Sequence, residues 1–316
     1  MSSASKTANP FPITSASCLE AGLPMTPSDN DEARRILRGV GLVAIAVMLF
    51  AITDAVSKYM TRYYPVGFIL WLRFFFHTLV LLTVIGARQG LGFTRTRRPG
   101  IQLARGILLP IAALLFVTAM RFMPLAETAA ITFVSPLIVT LLAVIVLKER
   151  VDVGQWAAIG CSFAGVLLII RPGSDVFGWA AVLPLGTAFA MAIYQVLTRR
   201  IAGLESSYTS IFYPGLVGLI IFSVALPFNW AVPVSWWHLV LMVIVGVVNA
   251  SSHLILIRAF ECAPASRLAP FSYTQIIWSA LVAYIVFGDF PDAWSLGGIA
   301  VIVASGIYVA ARIRRS

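Results

Sequence analysis

From Leu37 onward the chain alternates between long apolar stretches and short polar or Pro/Gly-containing breaks. Stretches of about 20 apolar residues match the thickness of a bilayer's hydrocarbon core. The pattern predicts ten spans, near 38–59, 66–86, 103–121, 125–147, 153–170, 177–197, 207–228, 236–257, 265–287 and 294–311. Pro65, Gly86, Gly100, Pro124, Gly154, Pro172-Gly173, Gly203, Pro233, Pro264 and Pro291 mark most of the breaks. Residues 1–36 have no apolar run, carry Ser, Thr, Pro and mixed charges, and are expected to form a disordered cytosolic tail.

Composition excludes a soluble domain. Hydrophobic residues make up 59% of the 316 and charged residues 11%, too little polar surface to cover a water-soluble fold. The net charge of +10 does not indicate nucleic-acid binding, because the basic residues are scattered between apolar runs instead of forming one face. Their placement instead gives a topology. With the N-terminus in the cytosol, 18 Lys and Arg fall on the inner side. Only Lys58, Arg62, Arg121 and Arg171 fall outside, and Arg73 lies within a span. The positive-inside bias therefore puts both termini in the cytoplasm. Cys18, Cys161 and Cys262 show neither metal-ligand spacing nor a disulfide framework.

The chain also resembles itself. A shift of 140 residues brings Ala119, Pro124, Leu141, Glu149, Asp152 and Ala164 onto Ala259, Pro264, Leu281, Asp289, Asp292 and Ala304. A shift of 137 brings Gly41, Ala51, Ala55, Thr61 and Arg62 onto Gly178, Ala188, Ala192, Thr198 and Arg199. Each unit has an odd number of spans, so the second enters the membrane from the opposite side. The expected fold is an all-α membrane protein, with ten transmembrane helices arranged as two inverted five-helix repeats over 37–173 and 174–316. Inverted repeats suit alternating access in secondary transporters.

Residues 121–151, RFMPLAETAAITFVSPLIVTLLAVIVLKERV, and 156–173 resemble the EamA-type half of the drug/metabolite transporter superfamily. Residues 258–309 resemble its second half. The resemblance spans about 38–312. It implies ten helices, cytosolic termini and a central cavity between the halves. Within the superfamily, 54–76 and 263–292 look most like bacterial riboflavin importers and nearly as much like S-adenosylmethionine uptake carriers. Broad amino-acid exporters are a more distant match. Riboflavin uptake across a bacterial inner membrane is the expectation on resemblance, with S-adenosylmethionine uptake or amino-acid and metabolite export as alternatives. The non-transport alternative is a membrane-embedded enzyme.

Ionisable groups in the hydrocarbon cost about 2.5–3.5 kcal/mol each and so face a partner or a cavity. Asp54 and Lys58 share a face of the first span, as a local ion pair or as a gate or coupling site. Arg73 and His77 do the same on the second, with Arg73 either a buried functional cation or bridged to Asp54. Thr128, Thr132 and Ser135 form a polar stripe on the fourth span. The repeat shift sets Ser272, Gln275 and Ser279 of the ninth opposite Thr132, Ser135 and Val139, and Pro136 is expected to loosen the fourth span. Asn249 and His253 pair on the eighth. Tyr273 and Trp278 supply aromatic surface for a planar ring. The expected substrate-binding set is Arg73, His77, Thr132, Ser135, Asn249, His253, Tyr273, Gln275 and Trp278; the alternative for the hydroxyls is interhelical hydrogen bonding. Ala157, Gly160 and Ala164, with Ala300 and Ala304, are expected at a close helix contact. No phosphate loop, HExxH or GxSxG occurs, so no enzyme activity and no cofactor or metal are expected. The partners are a small-molecule substrate and the lipid bilayer, with monomer and homodimer both open.

Overall fold

The computed structural model describes residues 29–147, 153–171, 178–201, 203–263 and 265–313. The described residues contain helices and no strand. Ten helical segments follow the predicted spans: α1 Asp29–Met60, α2 Val66–Val80, α3 Pro99–Ala119, α4 as Leu125–Thr132 plus Ser135–Leu147, and α5 Val153–Ile170. The second half contributes α6 Val182–Ile201, α7 Ser207–Asn229, α8 Trp236–Cys262, α9 as Ala265–Ser272 plus Thr274–Phe287, and α10 Ala293–Ile313. Among the described residues eight stretches are long and apolar enough to cross a bilayer, and Trp156–Ile170 and Ala293–Tyr308 are shorter apolar helices. α2 continues through a π-helical turn at Leu81–Ile85. α1 is described from Asp29, within the segment expected to be tail, and runs unbroken to Met60.

Helix packing is symmetric under exchange of the halves. α1 packs on α8 as α6 packs on α3; α2 packs on α8 as α7 packs on α3; α1 packs on α9 as α6 packs on α4. The self-related pairs α2–α7, α4–α9 and α5–α10 are also in contact. This is the arrangement of two inverted five-helix units about one two-fold axis.

The breaks in α4 and α9 obey the same symmetry. α4 breaks at Phe133–Val134 and α9 at Tyr273, which the 140-residue shift superimposes on Phe133. Pro136 has no N–H, so the carbonyl of Thr132 loses its normal helical donor. Phe133 N–H is shared between the carbonyls of Ala129 and Ala130, as at a helix end. In α9 the interruption follows Pro270.

α5 and α10 meet through small residues, but not those expected. Ala157, Gly160, Ala164, Ala300 and Ala304 are exposed or unobstructed on the outer faces. The contact runs through buried Ala158 and Gly165 against Gly298 and Ser305. A Cβ on Gly165 would lie 2.9 Å from the carbonyl oxygen of Gly298, so the backbones touch. The expected stripe is offset by one residue, which turns a helical face by 100°.

Candidate functional site

Polar residues gather in two groups within the helix bundle and a third that flanks the membrane. The first lies between α1, α2 and α8. Asp54 Oδ1 on α1 is 3.5 Å from Arg73 Nη1 on α2. Arg73 Nη2 donates to Asn249 Oδ1 on α8 at 2.7 Å. Asn249 Nδ2 donates to His77 Nδ1 at 3.2 Å. His253 Nδ1 donates to the carbonyl of Asn249 at 2.9 Å. The His77 and His253 rings meet edge to face at 5.4 Å, and Phe50 lies edge-on to His253 at 4.8 Å. Gly246 lets α8 approach, since a Cβ there would press on Phe76 and the carbonyls of Leu72 and Arg73. Five expected residues thus join one network, and Arg73 is neutralised in place by Asp54.

Lys58 does not belong to it. It turns to Asp289 at the end of α9, 3.2 Å away, and packs its ammonium over the Phe287 ring. The local Asp54–Lys58 pair expected from their spacing is replaced by two pairs, Asp54–Arg73 and Lys58–Asp289.

The second group is the α4–α9 crossing. Thr128 and Thr132 donate their hydroxyls to the carbonyls of Pro124 and Thr128, at 2.8 and 2.9 Å. Their hydrogens are therefore spent within the helix, leaving oxygen lone pairs to accept. Ser135 is buried and Gln275 half-buried. Tyr273 is buried against Phe133 and against α10, where its hydroxyl lies at Gly306 without a hydrogen-bond partner. Trp278 lies apart, packed on the cluster of Val43, Val47, Ala259, Ala263 and Leu268 between α1, α8 and α9. Positions five apart on a helix diverge by about 140°, so Tyr273 and Trp278 do not form one aromatic surface.

Two buried charges were missed in the sequence. Arg105 on α3 is 1% exposed and has neutral partners on three helices. Nε donates to Thr198 Oγ1 at 2.9 Å, Nη1 to Gln102 Oε1 at 2.7 Å, and Nη2 to the Tyr194 hydroxyl at 3.0 Å and the Ser210 carbonyl at 3.2 Å. It was counted only as topological charge, although its position six residues into α3 distinguished it. Glu127, at the start of α4, is 3% exposed, lies near Lys58, Asp292 and Ser295, and has one carboxylate oxygen without a partner. A lone acid in an otherwise apolar helix was the available cue.

The third group flanks the membrane. Asp292 binds Arg171 and caps α10 by accepting from Ser295 N–H at 2.8 Å. The Arg171 hydrogen bond and then that N–H hold its carboxyl below the usual range. Beyond the other end, burial favours a neutral Glu205. The donors Thr96 Oγ1, Arg97 N–H and Arg98 N–H outweigh it and set its titration low.

Residues 37–171 and 178–311 each match the family described as EamA-like transporter family. The chain belongs to the EamA-like transporter family. This EamA-like protein is therefore a multi-pass membrane transporter of small molecules and not an enzyme. An S-adenosylmethionine uptake transporter of Rickettsia prowazekii is 26% identical over 89% of this chain and 95% of its own length. A riboflavin transporter of Vibrio cholerae is 28% identical over 86% of this chain and 93% of its own. A pseudopaline exporter of Pseudomonas aeruginosa is 27% identical over 84% and 94%. One solved crystal structure superposes with a TM-score of 0.64 at 16% identity, covering 90% of this chain and 98% of that one, and supports the fold.

Proposed function

We propose that this EamA-like protein is an inner-membrane carrier importing a nitrogen-heteroaromatic metabolite of the class that includes riboflavin and S-adenosylmethionine. The similarity to an S-adenosylmethionine uptake transporter and to a riboflavin transporter, over nearly the full length of each, carries this reading. The two solutes share a planar heterocycle bearing a polyhydroxylated chain or ring. The α4–α9 crossing supports it chemically. Phe133 and Tyr273 provide ring faces, Gln275 offers an amide, and Ser135 and the Thr132 carbonyl freed by Pro136 offer further polar contacts. Both termini lie in the cytoplasm on the charge distribution. The halves 37–173 and 174–316 rock about the α4–α9 and α2–α7 contacts.

Proteoliposomes test this. Preloaded with unlabelled riboflavin or S-adenosylmethionine, they should accumulate the matching labelled solute by counterflow. The solute giving saturable exchange is the substrate. Exchange of neither, alongside exchange of an amino acid, would overturn the heteroaromatic class and leave the transporter in place.

A further inference from the structure

The outer ends of α1 and α9 and the α3–α4 connection border an open cavity of about 430 Å³. Its wall includes Lys58, Arg62, Arg121 and Asp289, with Phe122 and Met123 as apolar surface. Only four cations fall on the outer side in the charge-based topology, and three of them converge here. The fourth, Arg171, is bound to Asp292. The positive-inside bias disfavours cations near spans on this side, so their concentration at one cavity needs a separate cause.

Local pairing does not supply it. Asp289 neutralises Lys58. Arg62 lies over the Phe287 ring, its guanidinium 5.5 Å from the centroid. Among the described residues neither Arg62 nor Arg121 has a carboxylate partner. The wall itself carries two guanidiniums and an ammonium against one carboxylate, and even with Glu127 near Lys58 behind it the cations outnumber the acids. Guanidinium forks match carboxylate and phosphate oxygens in pairs. The volume lies within the range of small-molecule sites.

We propose that this cavity is an outer-face recognition site for the anionic group, carboxylate or phosphate, of a solute entering the carrier. The proposal rests on the transporter reading for its purpose and on cytoplasmic termini for its side. It narrows the substrate class to solutes carrying such a group beside the heterocycle. The apolar wall takes the neighbouring part of the molecule, while Arg62 and Arg121 hold its charge.

The full-length protein in phosphatidylcholine nanodiscs, at constant ionic strength, decides it by calorimetric titration with two solute pairs. These are riboflavin 5′-phosphate against riboflavin, and S-adenosylmethionine against its decarboxylated analogue. The anionic member of at least one pair should bind about tenfold tighter or more, as charge-assisted bonds predict. The Arg62→Gln/Arg121→Gln variant, at unchanged melting temperature, should abolish the difference. Equal affinities in the unmodified protein, or a difference that survives in the variant, would overturn the proposal. If neither pair binds, the heteroaromatic reading fails, and dicarbonyl modification of Arg62 and Arg121, read by mass spectrometry, still tests the site. Protection by inorganic phosphate or acetate supports it. Protection by neither, or by phosphatidylglycerol in the bilayer alone, overturns it.

Discussion

The rings of Phe133 and Tyr273 meet at a 48° tilt with centroids 5.3 Å apart, each at the break in its own helix and each at the repeat position of the other. The symmetry axis therefore passes between two aromatic residues at the points where α4 and α9 lose helical continuity. Backbone there is held by fewer helical hydrogen bonds, so bending is least costly where the halves meet.

Tyr273 and Phe133 can be separated by one oxygen atom. The Tyr273 hydroxyl is buried without a partner, and an unsatisfied polar group costs about 1–3 kcal/mol. Tyr273→Phe should therefore leave the melting temperature unchanged or raise it. On the proposed reading the solute supplies the hydroxyl's missing partner, so uptake should fall at least about fivefold in the same variant. Full uptake by a stabilised Tyr273→Phe protein would remove Tyr273 from the binding set.

Gln275 and Ser135 face a simpler test. In a chain with Cys18, Cys161 and Cys262 replaced, Ser135→Cys and Gln275→Cys should react with a small polar thiol reagent and be protected by the transported solute. Silence at both positions would place them in dry helix contact.

Arg105 joins α3, α6 and α7 through neutral acceptors, so its removal leaves Gln102, Tyr194 and Thr198 with unmatched oxygens. Arg105→Met should lower the melting temperature, at about 1–3 kcal/mol for each acceptor stranded away from water. Arg105→Lys should recover only part of the loss, since an ammonium cannot reproduce the planar fork. An Arg105→Lys protein as stable as the original would show that charge alone suffices there.

Glu205 ties the α2–α3 connection to the start of α7 through three donors, and its carboxyl titrates below its ordinary value. A depressed folded pKa contributes stability above the unfolded value, near 4.3, and loses it as pH falls through the folded value. Corrected for the intrinsic pH dependence of exchange, the Arg97 and Arg98 amides should be protected at neutral pH and lose protection under acid conditions below that range. Glu205→Gln should show the unprotected behaviour at neutral pH. Protection independent of both pH and this substitution would mean that the connection is held by something else.

Much of this arrangement was legible before any coordinates, for physical reasons. Span length is set by the bilayer, so the predicted spans fall on the helices, and the end of α5 at Ile170 and the start of α7 at Ser207 agree to the residue. The Asp54–Arg73 bridge was one of the stated alternatives because a mid-membrane arginine must find a partner. Lys58 was harder. Spacing on one helix shows which residues share a face but not which neighbour competes, and Asp289 is 231 residues away. Tyr273 and Trp278 were both read as aromatic surface of one helix, and sequence alone does not show that they point to different neighbours. The α5–α10 seam was displaced by one residue because Ala and Gly occur on several faces of both helices. Arg105 is not legible in the sequence because its partners are uncharged and most of them lie on α6 and α7.

Asp54 and Arg73 allow folding and transport to be measured apart. Both are largely buried, with side-chain exposures of 7% and 14%. Asp54→Asn leaves Arg73 charged, with Asn249 as its remaining acceptor. Arg73→Gln leaves an unpaired carboxylate beside the Asn249–His77 bond. Removing one member of a buried pair costs about 3–5 kcal/mol, so each single variant should show reduced yield and a lower melting temperature. Removing both charges together is often neutral or stabilising, so Asp54→Asn/Arg73→Gln should recover both yield and melting temperature. Transport should not recover, because the double variant has no arginine in the buried Asn249–His77–His253 network to attract a polar solute or to exchange partners as the halves move. Counterflow measured per folded molecule gives the answer. A double variant that folds and transports at the original rate would reduce Asp54 and Arg73 to structural partners and shift the search for the binding groups to the α4–α9 crossing.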